Sequence, residues 1–254
     1  MTMKDYLDFK EKTAIVTGGR RGIGRAIALA FAERGAKIAV IAKNPSGDEI
    51  LKELADAGTP GVYLSCDVGS REARRGIIEK AVTLLGGHLD ILVNNAGLQF
   101  NDTIESCTLE NWEISESVLL EAPFDFSRQA IPFMKSAGGG KIIHVSSICA
   151  IREGGGNFSY GVMKTALAGM TRCMANTIAR YNINVNAIAP GIVHTDLTEP
   201  CFAEERHRQL IARYPARRLG VPEEIAGCAL FLASEMSSFV HGHLLVADGG
   251  FCGN

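Results

Sequence analysis

The sequence is poor in the features that mark membrane, secreted or nucleic-acid-binding proteins. Its 254 residues carry a formal net charge of only −2, so no basic excess points to nucleic acid. No apolar run is long enough to span a bilayer, and Met1–Lys12 lacks the apolar core of a signal peptide. We therefore expect a cytoplasmic protein that binds neither a membrane nor a nucleic acid.

The cysteines also lack the spacing of a metal or redox site. None of the seven forms a C-x-x-C pair, which indicates neither zinc binding nor a thiol–disulfide couple. We expect free thiols and no bound metal. The seven are Cys66, Cys107, Cys149, Cys173, Cys201, Cys228 and Cys252.

What the chain does have is a regular alternation of short apolar segments with helical patterns. The apolar segments are Thr13–Thr17, Lys37–Ala42, Val62–Cys66, His88–Val93, Lys141–Val145, Ile183–Ala189 and Leu244–Ala247. Strands this short and apolar, separated by helices, are typical of a parallel sheet covered on both faces. We predict one doubly wound, Rossmann-like α/β domain over residues 1–254, with about seven strands and ligands at their carboxyl ends.

A glycine cluster follows the first predicted strand, in the sequence Thr17-Gly-Gly-Arg-Arg-Gly-Ile-Gly24. Glycine lets the backbone approach a pyrophosphate, and the free N–H groups at the start of the next helix bind it. A plain tight turn is the alternative, but the position between a strand and a helix favours dinucleotide binding. The predicted contact residues are Gly18, Arg20, Arg21, Gly22, Ile23 and Gly24.

The choice of dinucleotide depends on charge at the end of the second strand. That strand ends Ala42-Lys43-Asn44, without the acid that would bind the adenosine ribose hydroxyls of NAD. Lys43 and Arg21 could both reach a ribose 2′-phosphate through charge-assisted hydrogen bonds. Lys43 as a solvated strand end is the alternative. We predict NADP(H) as the preferred cofactor, with NAD as the second candidate.

Tyr160 and Lys164 are four residues apart at the start of a predicted helix, Phe158 to about Arg180. Residues at this spacing share one helix face. An ammonium near a phenol stabilises the phenolate, and a tyrosine made more acidic in this way can exchange protons with an alcohol or carbonyl. Taken alone, the pair is more typical of a helix face with a lysine reaching into solvent than of a catalytic pair.

Several motifs occur together and in one order along the whole chain. They are Thr17–Gly24, Asn94-Asn95-Ala96-Gly97, Ser147, Tyr160, Lys164 and Pro190-Gly191. This combination resembles the classical short-chain dehydrogenase/reductase family. The segment Asn182–Gly191 also resembles the sugar-acid branch of that family, such as the 2-deoxygluconate 3-dehydrogenases.

The resemblance implies a role for each matching residue. Tyr160 would be the general acid/base, Lys164 would acidify it and hold the nicotinamide ribose, and Ser147 would hydrogen-bond the substrate oxygen. Ser146 is the alternative to Ser147 if the alignment slips by one residue. The other implied cofactor contacts are Asp67 and Val68 at the adenine, Asn94, Ala96 and Gly97 along the cofactor, and Pro190, Gly191, Ile192 and Thr195 at the nicotinamide.

One position departs from the family pattern. An asparagine usually follows Trp112 by seven residues and ends a proton relay from the lysine through water, but the residue here is Leu119. Pro123, four residues later, should kink or interrupt a helix predicted over Trp112–Met134. Two hypotheses follow: an active reductase that does not need this asparagine, or a cofactor-binding homologue with weak or no turnover.

The substrate should be a small carbonyl compound or alcohol, bound by the loops Leu98–Thr103, Ile148–Ser159 and Ile192 to about Arg218. Their polar side chains suit a sugar or sugar acid, although each could simply face water. The candidates are Gln99, Arg152, Asn157 and His194, with Arg152 as the contact to a carboxylate. The resemblance also implies a homotetramer, in which the helices Trp112–Met134 and Phe158–Ile178 would pack across a two-fold axis.

Overall fold

The computed structural model describes residues 5–152, 156–199 and 204–253, with Arg206 described for its backbone only. Its centre is a parallel sheet of seven strands in the order β3-β2-β1-β4-β5-β6-β7. The strands are β1 (Thr13–Thr17), β2 (Lys37–Ala42), β3 (Val62–Ser65), β4 (Ile91–Asn94), β5 (Gly140–Val145), β6 (Ile183–Pro190) and β7 (Leu244–Ala247). The predicted fold class is confirmed, and every predicted strand is present.

The fourth strand begins three residues later than predicted, at Ile91 rather than His88. The reason is a set of hydrogen bonds to the start of β1. Thr13 Oγ1 donates to the His88 carbonyl at 2.9 Å, and the Thr13 N–H donates to Asp90 Oδ2 at 2.9 Å. Residues 88–90 thus bind the end of the neighbouring strand before the regular ladder begins.

Helices cover both faces of the sheet. The described helices are α1 (Gly22–Ala32), α2 (Asp48–Asp56), α3 (Arg71–Arg74), α4 (Ile77–Leu85), α5 (Leu109–Glu116), α6 (Ala122–Ser136), α7 (Phe158–Ile178), α8 (Glu204–Ile211) and α9 (Pro222–Ala233). Buried side chains of α1, α2 and α9 pack on one face, and those of α4, α6 and α7 pack on the other. The central strands are mostly apolar on both sides because both sides are covered.

The predicted helix Trp112–Met134 is divided into α5 and α6 by a π-helical turn, Ser117–Glu121. Pro123 lies in the first turn of α6, directly after this π-helical turn. The predicted interruption is therefore present, but the wide turn before the proline provides it. Such turns occur often at functional sites, and this one contains Leu119.

Candidate active site

A cavity of about 1420 Å³ lies at the carboxyl ends of the strands. Pockets for drug-sized ligands usually measure roughly 300–1,000 Å³, so this one has room for a dinucleotide together with a substrate. Most of the predicted site residues line it. They are Gly18, Arg20, Arg21, Gly22, Ile23, Lys43, Asp67, Val68, Ala96, Gly97, Gln99, Ser147, Arg152, Asn157, Tyr160, Lys164, Pro190, Gly191, Ile192 and Thr195.

Three predicted site residues do not line this cavity. Gly24 lies behind the glycine loop, where a Cβ would come within 2.4 Å of the Gly18 carbonyl oxygen. The Asn94 amide is buried and donates to Ser127 Oγ at 3.2 Å. His194 Nε2 lies 3.1 Å from Glu199 Oε2 on an exposed loop. Gly24 and Asn94 thus support the walls of the cavity, whereas His194 is placed away from it.

Helix α7 brings Tyr160 and Lys164 together. Lys164 is 4% exposed, and its Nζ lies 5.5 Å from the centroid of the Tyr160 ring. The same Nζ donates a hydrogen bond of 2.6 Å to the Val145 carbonyl at the end of β5. Burial lowers the pKa of Lys164 to about 8, because the charged form has lost most of its hydration. Lys164 is therefore a core lysine directed at the tyrosine and not a lysine that reaches into solvent.

The structure distinguishes Ser147 from Ser146. Ser146 Oγ donates at 3.0 Å to the Lys164 carbonyl, so this hydroxyl joins the end of β5 to helix α7. Ser147 Oγ accepts from the Cys149 N–H at 3.1 Å, which leaves its proton available to a ligand oxygen. Both residues line the cavity, so they differ not in position but in the hydrogen bond that each hydroxyl makes.

The start of α7 is held by a buried carboxylate. Asp102 is 3% exposed, and its oxygens accept from the Ser159 N–H at 3.1 Å and from Ser159 Oγ at 2.6 Å. Burial alone would raise the pKa of Asp102, but hydrogen bonds from Ser159, Cys107 and the Phe158 N–H outweigh it and lower the pKa. The residue before Tyr160 is thus fixed by a charge-assisted network.

The glycine loop has the close backbone contacts expected of a phosphate-binding turn. Gly18 has φ +66°, and a Cβ there would lie 2.8 Å from the Ala96 Cα. Gly22 has φ +55°, a conformation that side chains other than glycine rarely adopt. Asn95 joins this loop to β4, since its amide donates to the Thr17 carbonyl at 2.9 Å. The loop is therefore shaped by glycine and held in place by Asn95.

The basic residues at the dinucleotide end have different surroundings. Lys43 Nζ pairs with Asp67 Oδ2 at 2.7 Å, and the hydrogen bond from Lys43 lowers the pKa of Asp67. Arg21 pairs with Asp196 at 2.8 Å, across the loop that follows β6. Arg20 lies near Tyr63, where its charge partly offsets the rise in the Tyr63 pKa that burial causes. Arg20 and Lys43 thus lie near the β2–β3 edge, while Arg21 lies toward β6.

The position of the family's relay asparagine is apolar and closed. Leu119 is fully buried, with Cδ2 3.4 Å from where a Cβ on Gly97 would lie. On β5, the buried His144 ring accepts a hydrogen bond from the Asn94 amide at 3.2 Å. Burial, together with the charge of Lys164, lowers the pKa of His144 to about 3, so this ring is neutral. Leu119 itself offers no hydrogen bond to a relay water.

The substrate end of the cavity combines amides with two guanidinium groups. Gln99 Nε2 donates to Asn157 Oδ1 at 2.5 Å. The Cζ atoms of Arg152 and Arg213 lie 5.4 and 5.2 Å from the centroid of the Phe251 ring. Residues 153–155 and 200–203 lie outside the described residues. They include Glu153 of a predicted substrate loop and the cysteine Cys201.

The residues of the cavity wall that sequence reasoning missed include Asn95, Tyr214 and Phe251. Asn95 lines the cavity and the adjacent Asn94 does not. Alternation of side chains along a strand could have indicated that the two point in different directions. Tyr214 and Phe251 stack with their ring centroids 4.9 Å apart, although 36 positions separate them in the sequence numbering. No local pattern signals that contact.

The described residues form neither a membrane-spanning helix nor a metal site. In residues 5–152, 156–199 and 204–253, no helix combines the length and the apolarity needed to cross a membrane. The same part of the chain holds no group of three His, Cys, Asp or Glu side chains suited to a metal ion. The cysteines described are free thiols.

Comparison with known proteins agrees with a dinucleotide-binding oxidoreductase. Residues 18–252 match the family described as enoyl-(acyl carrier protein) reductase. A 2-dehydro-3-deoxy-D-gluconate 5-dehydrogenase of Bacillus subtilis is 37% identical over 98% of both chains. The 3-oxoacyl-[acyl-carrier-protein] reductase FabG of Thermotoga maritima is 36% identical over 94% of this chain and 97% of its own.

A solved structure gives the same result for the fold. The crystal structure of a candidate NAD(P)-dependent gluconate 5-dehydrogenase from Beutenbergia cavernae, with bound NADP, has a TM-score of 0.93 and 34% identity. The match covers 98% of this chain and 99% of that one. The chain belongs to the short-chain dehydrogenase/reductase family of nicotinamide-dependent oxidoreductases.

The residues of the cavity fit such a cofactor. A Cβ at Gly18 would collide with Ala96, and Gly22 has a left-handed backbone, so the loop between β1 and α1 requires glycine at both positions, as in a phosphate-binding turn. Basic side chains at the β2 end suit a phosphate, and the Tyr160–Lys164 pair stands at the other end. The donor set therefore suits a nicotinamide dinucleotide.

Proposed function

We propose that the chain is an NADP(H)-dependent oxidoreductase that interconverts a secondary alcohol and a ketone. The observation that carries this proposal is the convergence of Ser147, Tyr160 and the buried Lys164 on the cavity that the glycine loop borders. Each of these residues has an alternative explanation by itself. Together they provide a proton donor, a charge that supports it and a hydroxyl that orients a substrate oxygen.

The proton is carried by Tyr160. Its hydroxyl donates a proton to the substrate oxygen during reduction and accepts it during oxidation. The Lys164 ammonium, 5.5 Å from the ring centroid, stabilises the phenolate that remains. Transfer of a hydride to or from the substrate carbon is the chemistry that the nicotinamide supplies when bound. Ser147 Oγ donates to the substrate oxygen and holds it beside Tyr160.

The preference for NADP(H) rests on Lys43 and Arg20. Both line the cavity near the end of β2, where no acid stands in the place that would bind the ribose hydroxyls of NAD. Asp67 already pairs with Lys43, so a 2′-phosphate must compete with that carboxylate. We therefore expect a preference for NADP(H) rather than an absolute requirement. Arg21, paired with Asp196, would close over the pyrophosphate instead.

The substrate is a polar sugar or sugar acid. The support is a substrate end with amides and guanidinium groups, at Gln99, Asn157 and Arg152, together with relatives named as dehydrogenases of gluconate derivatives. Amide groups hydrogen-bond sugar hydroxyls, and guanidinium groups bind carboxylates through paired hydrogen bonds.

A second candidate function is cofactor binding with weak or no turnover. Leu119 favours it, because a buried leucine removes the side-chain end of the proton relay that the family uses. We favour the enzyme, since Ser147, Tyr160 and Lys164 remain in place.

The experiment is a turnover assay with NADPH and NADH on a panel of ketones and keto acids, and with NADP⁺ on polyols and sugar acids. An enzyme should give saturable turnover with at least one substrate, faster with NADP(H). Tight NADPH binding without turnover on any compound would support the second candidate, and the absence of dinucleotide binding would contradict both.

A homotetramer is the assembly we propose. Exposed apolar side chains on the outer faces of α6 and α7, Phe124 and Val162, are suited to contact with another copy. Light scattering should give about four times the 27.2 kDa chain mass. A monomer in solution would contradict the assembly, and fractionation of cells would test the expected cytoplasmic location.

A further inference from the structure

Two arginines from distant segments meet on one aromatic ring at the substrate end of the cavity. Arg152 follows the short 3-10 helix Ile148–Ala150 after β5, and Arg213 follows α8. Their Cζ atoms lie 5.4 and 5.2 Å from the Phe251 ring centroid, within the range of cation–π attraction. All three residues line the cavity that contains Ser147 and Tyr160.

The ring that holds the guanidinium groups is itself fixed. Phe251 belongs to a short tail that Asp248 folds back, since its carboxylate accepts from the Gly250 N–H at 2.8 Å and the Cys252 N–H at 2.7 Å. Phe251 also packs on the buried Tyr214 ring, with the ring centroids 4.9 Å apart. The Tyr214 hydroxyl accepts from the Ile192 N–H at 3.1 Å, next to the turn that ends β6. The arrangement is thus built into the cavity wall.

The charges of this cluster are suited to an anion. Like charges brought together are unfavourable unless an opposite charge lies between them. Asp248 is the nearby acid, and its two oxygens accept hydrogen bonds from the tail, which leaves its single negative charge in place. Arg213 makes no ion pair with any side chain in residues 5–152, 156–199 and 204–253. Among the described residues, the two guanidinium groups here outnumber the one Asp248 carboxylate, and the excess positive charge suits a substrate anion.

We propose that Arg152 and Arg213, held on Phe251, form the subsite that binds the carboxylate of a sugar-acid substrate. This inference rests on the proposed oxidoreductase function and specifies its substrate class. Guanidinium groups bind a carboxylate through paired charge-assisted hydrogen bonds, which fix its direction as well as its charge. The subsite therefore orients the polyol chain, whose hydroxyls reach Gln99 and Asn157, toward Tyr160.

The test compares D-gluconate with D-glucitol, which has the same chain and hydroxyls but a CH₂OH group in place of the carboxylate. The variants are Arg213→Gln, Arg152→Gln and the double variant, with NADP⁺ present. Each single change should lower kcat/KM for gluconate about 10- to 100-fold, the usual size for one charged hydrogen bond, and leave that for glucitol nearly unchanged. Arg34→Gln, an exposed change after α1 and outside the cavity, is the matched control.

A binding measurement separates this inference from the proposed function. Calorimetry with gluconate and the NADP⁺ complex needs no turnover, so it gives a result even if the chain proves inactive. Weaker gluconate binding by the Arg213→Gln protein, with NADP⁺ affinity unchanged, supports the subsite whether or not turnover occurs. Equal gluconate affinity in wild type and variants, equal losses for gluconate and glucitol, or no gluconate binding by the wild type would overturn the subsite while leaving oxidoreductase activity to its own assay.

Discussion

Lys164 and Lys43 stand at opposite ends of one cavity in opposite surroundings. Lys164 is 4% exposed, while the side chain of Lys43 is 78% exposed and pairs with Asp67 at 2.7 Å. Burial lowers the pKa of Lys164 to about 8, since a buried ammonium has lost its hydration. Water screens the exposed pair, so its energy is small. We therefore expect the chemistry to depend on the buried end and the exposed end to tune only the choice of cofactor.

The largest expected effect is at the buried end. Tyr160→Phe removes the proton donor and should lower kcat by about 10³-fold or more, in the upper range for general acid/base catalysis. NADPH affinity, measured by fluorescence titration, should change by less than about 3-fold, because the ring remains. Undiminished product formation by the phenylalanine variant would contradict the assignment of Tyr160 as the acid/base.

The next effect is a pH-dependent difference in stability at Lys164. In the folded protein its pKa is about 8, whereas an unfolded chain keeps a value near 10.4. Between these two values the unfolded state binds more protons, so the free energy of unfolding contributed by Lys164 rises with pH. Relative to Lys164→Met, the wild type should gain about 3 kcal/mol between pH 7 and pH 10.5.

Urea denaturation at both pH values measures this difference. Lys43→Met is the matched control, because it removes an exposed lysine from the same cavity, and its difference from wild type should stay nearly constant. A Lys164→Met protein whose difference from wild type does not change with pH would show that the buried lysine is hydrated.

An intermediate effect is expected at the relay position. Leu119→Asn places an amide in a fully buried apolar site and should lower the free energy of unfolding by about 2 kcal/mol or more. If turnover does not need the asparagine, kcat should change less than about 10-fold, with Leu119→Ala as the control for lost packing. A larger rise in kcat would instead show that Leu119 limits turnover, as the second candidate function requires.

The smallest effect belongs to the exposed end. Lys43→Asp should raise KM for NADPH about 10-fold relative to KM for NADH, the size of one partly screened phosphate contact. Lys37→Asp, at the exposed start of the same strand, is the control and should change neither value. Equal changes for the two cofactors would exclude Lys43 as a contact to the 2′-phosphate.

Much of the fold could be predicted because its signals are local. The apolar strands β1 and β7 have the predicted bounds, since each is a short Val- and Ile-rich or Leu-rich run between helices. Pro123 predicted an interruption of the helix over Trp112–Met134, because proline has no N–H to donate within a helix. The form of that interruption, a π-helical turn before the proline, depends on how α5 and α6 pack against α7 and could not be read from the sequence.

The candidate site divides in the same way. The spacing of Tyr160 and Lys164 sufficed to place them on one helix face. The spacing did not show whether the lysine faces solvent or the core. The packing of α7 on β5 decides this, because it brings Lys164 Nζ to the Val145 carbonyl. Likewise His194 is polar and close in sequence to the cavity, yet its ring lies beside Glu199 and the cavity is lined by its neighbours.

The sequence by itself determined the glycine turn, the alternation of strands and helices and the tyrosine–lysine spacing, because each depends on residues within a few positions of one another. Only the tertiary structure decided which of two serines keeps its hydroxyl for a ligand, which arginine stands near the end of β2, and that Arg152 and Arg213 share one ring. These outcomes depend on segments far apart in the chain, whose side chains meet only after the helices and loops have packed on the sheet.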